Sequence, residues 1–260
     1  MLRPILRHLG LRPRRVLDAL PDWLRYRRDR AAFQSMPGAN AMPWGDELPI
    51  LGEWRDAAGN LNAYFFQDRL VARWIHEAGP DRHVDIGSRI DGFIGHLTVF
   101  RDVEVIDIRP QPVAIPGVRF HQLDLTRPID ADWIASTDSL SCLHTIEHIG
   151  LGRYGDPIDP HGHLTGLAQL KRFVKPGGCF YLSTPVGRER VEFNAHRVFA
   201  PATVLSWFDD GWDIDRSAVI DDANQVTEST GAAALFDATC ETGVGIVCVR
   251  KKINSTTQHL

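Results

Sequence analysis

Three carboxylates stand at the ends of three short apolar runs. Asp85 lies in Val84-Asp85-Ile86-Gly87-Ser88, Asp107 in Val105-Ile106-Asp107-Ile108 and Asp124 in Gln122-Leu123-Asp124-Leu125. Gly87 and Gly92 let the backbone turn tightly and approach a ligand closely. An acid about 20 residues past such a turn is the spacing of a carboxylate that grips ribose hydroxyls, and Asp107 follows Asp85 by 22 residues. Asp124 is suited to accept from an exocyclic adenine amine. Together these acids fit an adenosine-containing ligand. They fit a dinucleotide badly, because GxGxxG is absent and an extra carboxylate in the turn repels a pyrophosphate. A second set, His144, Glu147, His148, Asp156 and His196, supplies candidates for a general base.

These residues need elements to position them. His83–Ile86, Glu104–Ile108, Val118–Leu123, Ser139–Leu143 and Cys179–Ser183 read as strands, with Asp213–Ile220 and Gly245–Val249 as a closing pair. Phe66, Leu70, Val71, Trp74, Ile75 and Ala78 mark one face of a helix that Gly79-Pro80 ends. Further helices are expected at Phe93–Phe100, Leu164–Val174 and Pro201–Phe208. Alternating βα units predict an α/β fold with a doubly wound, mostly parallel sheet, and ligands of such sheets bind beyond the carboxyl ends of the strands.

The layout resembles the class I S-adenosylmethionine-dependent methyltransferases. The trailing Glu147-His148 after the fourth strand is similar to that superfamily, as are Leu170…Lys175-Pro176-Gly177-Gly178 before the fifth and Asn194-Ala195-His196-Arg197-Val198-Phe199 after it. The resemblance covers roughly residues 62–252. It implies a Rossmann-like, seven-stranded sheet with an antiparallel last strand, S-adenosylmethionine as cofactor, and a glycine turn wrapped around the cofactor's methionine end. It places Asp85, Gly87, Ser88, Gly92, Phe93, Asp107, Ile108, Asp124, Leu125 and Leu143 around the cofactor. Catalysis would fall to His144, Glu147, His148 and His196, and acceptor binding to Arg153, Tyr154, Asp156, Asn194 and Arg197. One departure is plain: Arg89 replaces the middle glycine and the turn is one residue longer. The Gly150–Pro157 segment and Phe193–Arg197 resemble an uncharacterised bacterial, methyltransferase-like family associated with surface-glycan biosynthesis, which implies a sugar or other polar small molecule as acceptor.

Two metal readings stand beside this. His144-x-x-Glu147-His148 spells the HxxEH pattern of zinc peptidases, a metal-dependent hydrolase. Asp156, Asp159, His161 and His163 could instead hold a divalent ion, although their Gly/Pro/Asp-rich loop equally suits plain surface. A further reading is a degenerate methyltransferase fold serving as a binding or scaffold subunit in glycan assembly.

The chain has 260 residues and a net charge of -4, unevenly spread. Residues 1–35 hold nine Arg and three Asp, a balance of +6, which leaves -10 on the rest. The acidic body argues against a nucleic-acid binder and suits a cationic cofactor. Residues 1–61 read as a basic helical arm and a Pro/Gly-rich linker, 62–252 as the domain and 253–260 as a polar tail. Leu2, Ile5, Leu6 and Leu9, then Val16, Leu17, Leu20, Leu24 and Phe33, fall at helical spacing, and Pro13 and Pro21 could each open a short helix. The arm reads either as a peripheral contact with an anionic membrane surface or a protein, or as an arm packed on its own domain or a second subunit. Cys142, Cys179, Cys240 and Cys248 stand far apart with no CxxC, as expected of free thiols in a reducing cytoplasm. No run approaches the roughly 18 apolar residues of a membrane span.

Overall fold

The computed structural model describes residues 13–59, 61–208 and 210–253. The chain forms two compact units, residues 1–60 and 61–260. In the first unit, one helix runs over Pro13–Gln34. Pro21 lies inside it rather than opening a second helix. The apolar positions expected between Leu2 and Leu9 lie outside the described residues. Asp22 is buried and paired with Arg55 through Nη1 at 2.7 Å, and Arg25 lies 4.1 Å over the Trp54 ring.

The second unit is built on an eight-stranded sheet. Its strands are β1 His83–Ile86, β2 Val103–Asp107, β3 Val118–Gln122, β4 Thr137–Leu143, β5 Val174–Gly187, β8 Trp212–Ile220, β9 Val226–Thr230 and β10 Thr242–Lys251. A separate hairpin pairs β6 Arg190–Glu192 with β7 His196–Val198. The order is β3-β2-β1-β4-β5-β10-β8-β9. Strands β1 to β5 are parallel, and the last strand, β10, is antiparallel to both β5 and β8. The fold is thus α/β and Rossmann-like, with one strand beyond the seven expected. That strand, β9, is polar and exposed (Val-Thr-Glu-Ser-Thr) and carries no apolar alternation to announce it.

Both faces of the sheet are covered. The Ala63–Ala78 helix buries Leu70, Val71, Trp74 and Ile75 on one face with Val105, Tyr181 and Ile246. The Gly162–Phe173 helix buries Leu167, Leu170 and Phe173 on the other with Val84, Leu140 and Phe180. Asn62 caps the first of these helices by accepting from the Phe65 amide at 3.3 Å, a common N-cap role for this residue, and Gly79 ends it in the left-handed conformation, at the end the sequence predicts. No helix among the described residues is long and apolar enough to cross a membrane.

Candidate active site

Strand order reverses between β1 and β4, and a cleft opens there beyond the strand ends. Ile86, Ile106, Ile108, Leu123, Leu125 and Ile149 give it apolar walls. Gly87, Asp107, Arg109, Asp124, Thr126, His144, Thr145, His148, Tyr154 and Asp156 complete its lining. An adjoining recess is lined by Tyr64, Gln67, Asp68, Ser88, Arg89, Arg109, Leu143 and Arg153, together with Gly87, His144, His148 and Tyr154.

The glycine turn is held from below. Gly87 has φ +67°, and a Cβ there would lie 2.6 Å from Thr145 Cγ2, so only glycine fits. Asp85 does not line the cleft. It is fully buried and accepts from Ser88 Oγ at 2.7 Å, the Ser88 amide at 3.1 Å and Ser141 Oγ at 2.5 Å. Burial outweighs these bonds and pushes its pKa up to about 7. Ser141 also meets Nε2 of His83 at 3.0 Å, and Nδ1 of His83 meets Ser139 Oγ at 2.7 Å. Since Ser141 donates to Asp85, it accepts from His83 Nε2–H, and Ser139 donates to Nδ1. Burial holds the His83 pKa down at about 3. The extra residue after Arg89 is absorbed by a π-type turn, Ile90–Ile94, in which the Ile94 amide reaches back to Arg89 O at 3.4 Å. Inserting one residue into a helical turn commonly produces this geometry. The Arg89 side chain turns outward and pairs with Asp91.

Asp107 ends β2 at the cleft wall, where Arg109 holds both of its oxygens. Asp124 accepts from the Thr126 amide at 2.9 Å and from its hydroxyl at 2.7 Å. Its other oxygen lies 3.4 Å from Arg127 Nε. The acids expected at ribose and adenine therefore reach one cleft.

Beyond β4, His144 takes φ +51°, uncommon for a residue with a side chain. Its Nδ1–H donates to Glu147 Oε1 at 2.8 Å, and its ring packs on Tyr64 with centroids 4.8 Å apart. Glu147 is wholly buried, and its Oε2 and the His144 Nε2 have no hydrogen-bond partner among the described residues. His148 donates Nδ1–H to Ala195 O at 2.6 Å, which fixes the tautomer and leaves Nε2 as an acceptor. Nε2 lies 3.8 Å from Glu147 Oε1. Burial lowers the His148 pKa, so the ring is neutral and basic at neutral pH.

Several expected contacts fall elsewhere. Phe93 is packed in the core, and Gly92 serves helix packing, since a Cβ there would meet Asp68 Oδ2 at 2.7 Å. Arg197 is buried and donates to the carbonyls of Glu147, Ile149, Asp159 and Pro160, so it fastens the loop after β4 rather than contacting an acceptor. Asp156 accepts from the amides of Gly150, Gly152 and Tyr154 and shapes that loop. Asn194 is exposed in the β6–β7 turn at φ +65°. His196 lies 3.5 Å from Glu192 and packs beside His148, outside the cleft lining. Neither metal set converges. Among the described residues, the donor atoms of Asp156, Asp159, His161 and His163 form no group, nor do those of His144 and His148. The short turn Ile146–His148 directs the two histidines to different partners instead of presenting both on one helical face. All four cysteines are free thiols.

Tyr64, Gln67, Asp68, Thr145 and Arg109 escaped sequence reasoning. The available signal was the polar pair Gln67-Asp68 beside the buried apolar stripe of its helix, both side chains being buried.

The N-methyltransferase NodS from Bradyrhizobium japonicum WM9, in complex with S-adenosyl-l-homocysteine, aligns with TM-score 0.50 and 12% identity over 74% of this chain and 89% of NodS. The two chains share a fold. The [4+2]-cyclase SpnF aligns with TM-score 0.51 and 16% identity, over 72% of this chain and 81% of its own. The same architecture thus carries proteins of differing chemistry. The family described as "Caenorhabditis protein of unknown function, DUF268" matches residues 120–224, a segment that includes His144–His148 and the hairpin. No curated protein matches the chain.

Proposed function

We propose that this protein is an S-adenosylmethionine-dependent methyltransferase that acts on a hydroxyl of a sugar or other polar small molecule. The observation that carries this reading is the convergence of Gly87, Asp107 and Asp124 on one cleft with apolar walls. These residues suit the cofactor. Asp107 would take the ribose hydroxyls, Ile108 and Leu125 the faces of the adenine, and Asp124 its amine. Gly87 and Ser88 would border the methionine end. The bound cofactor supplies an electrophilic methyl group on a sulfonium.

The chain's own work is to hold the acceptor and take its proton. His148 Nε2 is an unprotonated acceptor at the cleft, and a base in this position typically supplies 10²–10⁴-fold. Glu147 lies close enough to stabilise the imidazolium that results. His144 is oriented by the same carboxylate. Arg153 and Tyr154 border the acceptor side. Much of the remaining rate comes from holding acceptor oxygen and methyl carbon at reacting distance.

Calorimetric titration with S-adenosylhomocysteine tests the reading. Binding is expected, with a loss of about tenfold or more in Asp107→Ala. Absence of binding, or an unaffected variant, would leave a scaffold or another chemistry on this fold. The bacterial, cytoplasmic and surface-glycan setting remains part of the proposal, as does peripheral contact by residues 1–35 with an anionic membrane. Exposed Leu20, Leu24 and Phe33 beside Arg25, Arg27 and Arg28 support that contact. Liposome association that survives deletion of 1–35 would remove it.

A further inference from the structure

Carboxylates and arginines share the lining of the cleft and its adjoining recess. Asp107, Asp124 and Arg109 line the cleft, while Arg89, Arg109 and Arg153, together with Asp68, line the adjoining recess. Two of these arginines have carboxylate partners: Arg89 pairs with Asp91 and Arg109 with Asp107. Arg153 has no ion-pair partner among the described residues. Among those residues its one hydrogen bond runs from Nη1 to Ala195 O at 2.9 Å, and a guanidinium has five donors.

Arg153 is also placed with care. Its guanidinium lies 5.1 Å from the centroid of the Tyr154 ring, and that of Arg109 lies 4.5 Å from the same ring. Stacking on an aromatic face orders a guanidinium while leaving its edge free to donate. Tyr154 is itself fixed, because its amide donates to Asp156 and its ring meets His148 edge-on at 5.5 Å. Two like charges on one ring repel each other, and an anion between them relieves that repulsion. The arrangement sits beside the His148 ring, where the proposed chemistry needs its acceptor.

We infer that the acceptor carries an anionic group, a phosphate or a carboxylate, and that Arg153 and Arg109 hold it against the edge of Tyr154. A neutral sugar would leave Arg153 unpaired; a phosphorylated or acidic sugar would pair it bidentately. This inference rests on the methyltransferase reading for its acceptor role, but the anion site can be measured apart from that reading.

The test is calorimetry on the full chain, free and saturated with S-adenosylhomocysteine, titrated with inorganic phosphate, acetate and glucose. Phosphate or acetate is expected to bind and glucose not, with the stronger anion naming the group. Arg153→Gln, at an exposed position, is expected to weaken anion binding about tenfold or more without changing affinity for S-adenosylhomocysteine. Binding should also fall as salt rises. The inference is overturned if no anion binds, or if Arg153→Gln and Arg109→Gln bind as well as the parent. It is also overturned if phosphate competes with S-adenosylhomocysteine, since the arginines would then serve the cofactor's own carboxylate. Arginine-dependent anion binding by a chain that does not bind S-adenosylhomocysteine would keep the anion site and remove the methyltransferase reading.

Discussion

Arg109 grips both oxygens of Asp107, with Nε 3.0 Å from Oδ1 and Nη2 2.6 Å from Oδ2. The carboxylate best placed for a ribose is therefore already engaged by a neighbour two residues away. Arg109 is half exposed, and exposed ion pairs contribute only about 0–1 kcal/mol, so a ligand can displace it. Arg109→Met is expected to bind S-adenosylhomocysteine up to about fivefold more tightly, read by calorimetry. Weaker binding would mean that Arg109 itself contacts the cofactor.

Replacing His148 separates chemistry from cofactor binding. His148→Gln should lower kcat by about 10²–10⁴-fold and leave the affinity for S-adenosylhomocysteine unchanged. Burial depresses the His148 pKa, so the basic form persists below the ordinary histidine range. The acid limb of kcat against pH should accordingly lie below pH 6.5 in the parent, and an acid limb above that value would assign the base elsewhere.

The buried pair His83 and Asp85, bridged by Ser141, acts on stability with opposite signs. Asp85 titrates near 7 when folded, against 3.8 ordinarily. Between those values the folded state holds the extra proton, so stability falls as pH rises. His83 titrates near 3 when folded, against 6.5. Between those values the unfolded state holds the extra proton, so stability rises with pH. The two slopes oppose each other between about pH 4 and 6.5. Asp85→Asn should unmask a rising slope there, and His83→Gln a falling one, in denaturant midpoints measured against pH. Parallel profiles in all three proteins would refute the assignment.

Gly87→Ala combines a left-handed backbone with a contact of 2.6 Å to Thr145. A loss of about 1–3 kcal/mol is expected for the backbone strain, measured by chemical denaturation, together with weaker binding of S-adenosylhomocysteine. An unchanged midpoint would show that the turn can relax.

Arg197→Met removes the donors that serve four carbonyls of the loop after β4. Two of those acceptors, the Glu147 and Ile149 carbonyls, are buried, and leaving them unpaired should destabilise by about 3 kcal/mol. Hydrogen exchange should rise in residues 149–160 ahead of the sheet. Uniform loosening of the whole domain, or none, would contradict a local clasp.

The sequence by itself determined the βα alternation, the helix that Gly79-Pro80 ends, and the strand ends bearing Asp85, Asp107 and Asp124. Apolar periodicity and capping chemistry are local, and they survive reading one residue at a time. It could not separate acids that face a ligand from acids that brace the backbone. Asp85 and Asp107 look alike in sequence, yet Ser88 and Ser141 enclose one while the cleft and Arg109 receive the other. Arg197 shows the same limit, since a basic residue in a polar segment becomes a buried clasp only when the hairpin folds over the loop after β4. The tertiary structure alone decided that Tyr64 meets His144, that Arg109 and Arg153 share Tyr154, and that no metal set converges at the histidines. Tyr64 and His144, like Arg109 and Tyr154, lie far apart in the chain, and the direction each side chain takes depends on which neighbours fill the space around it.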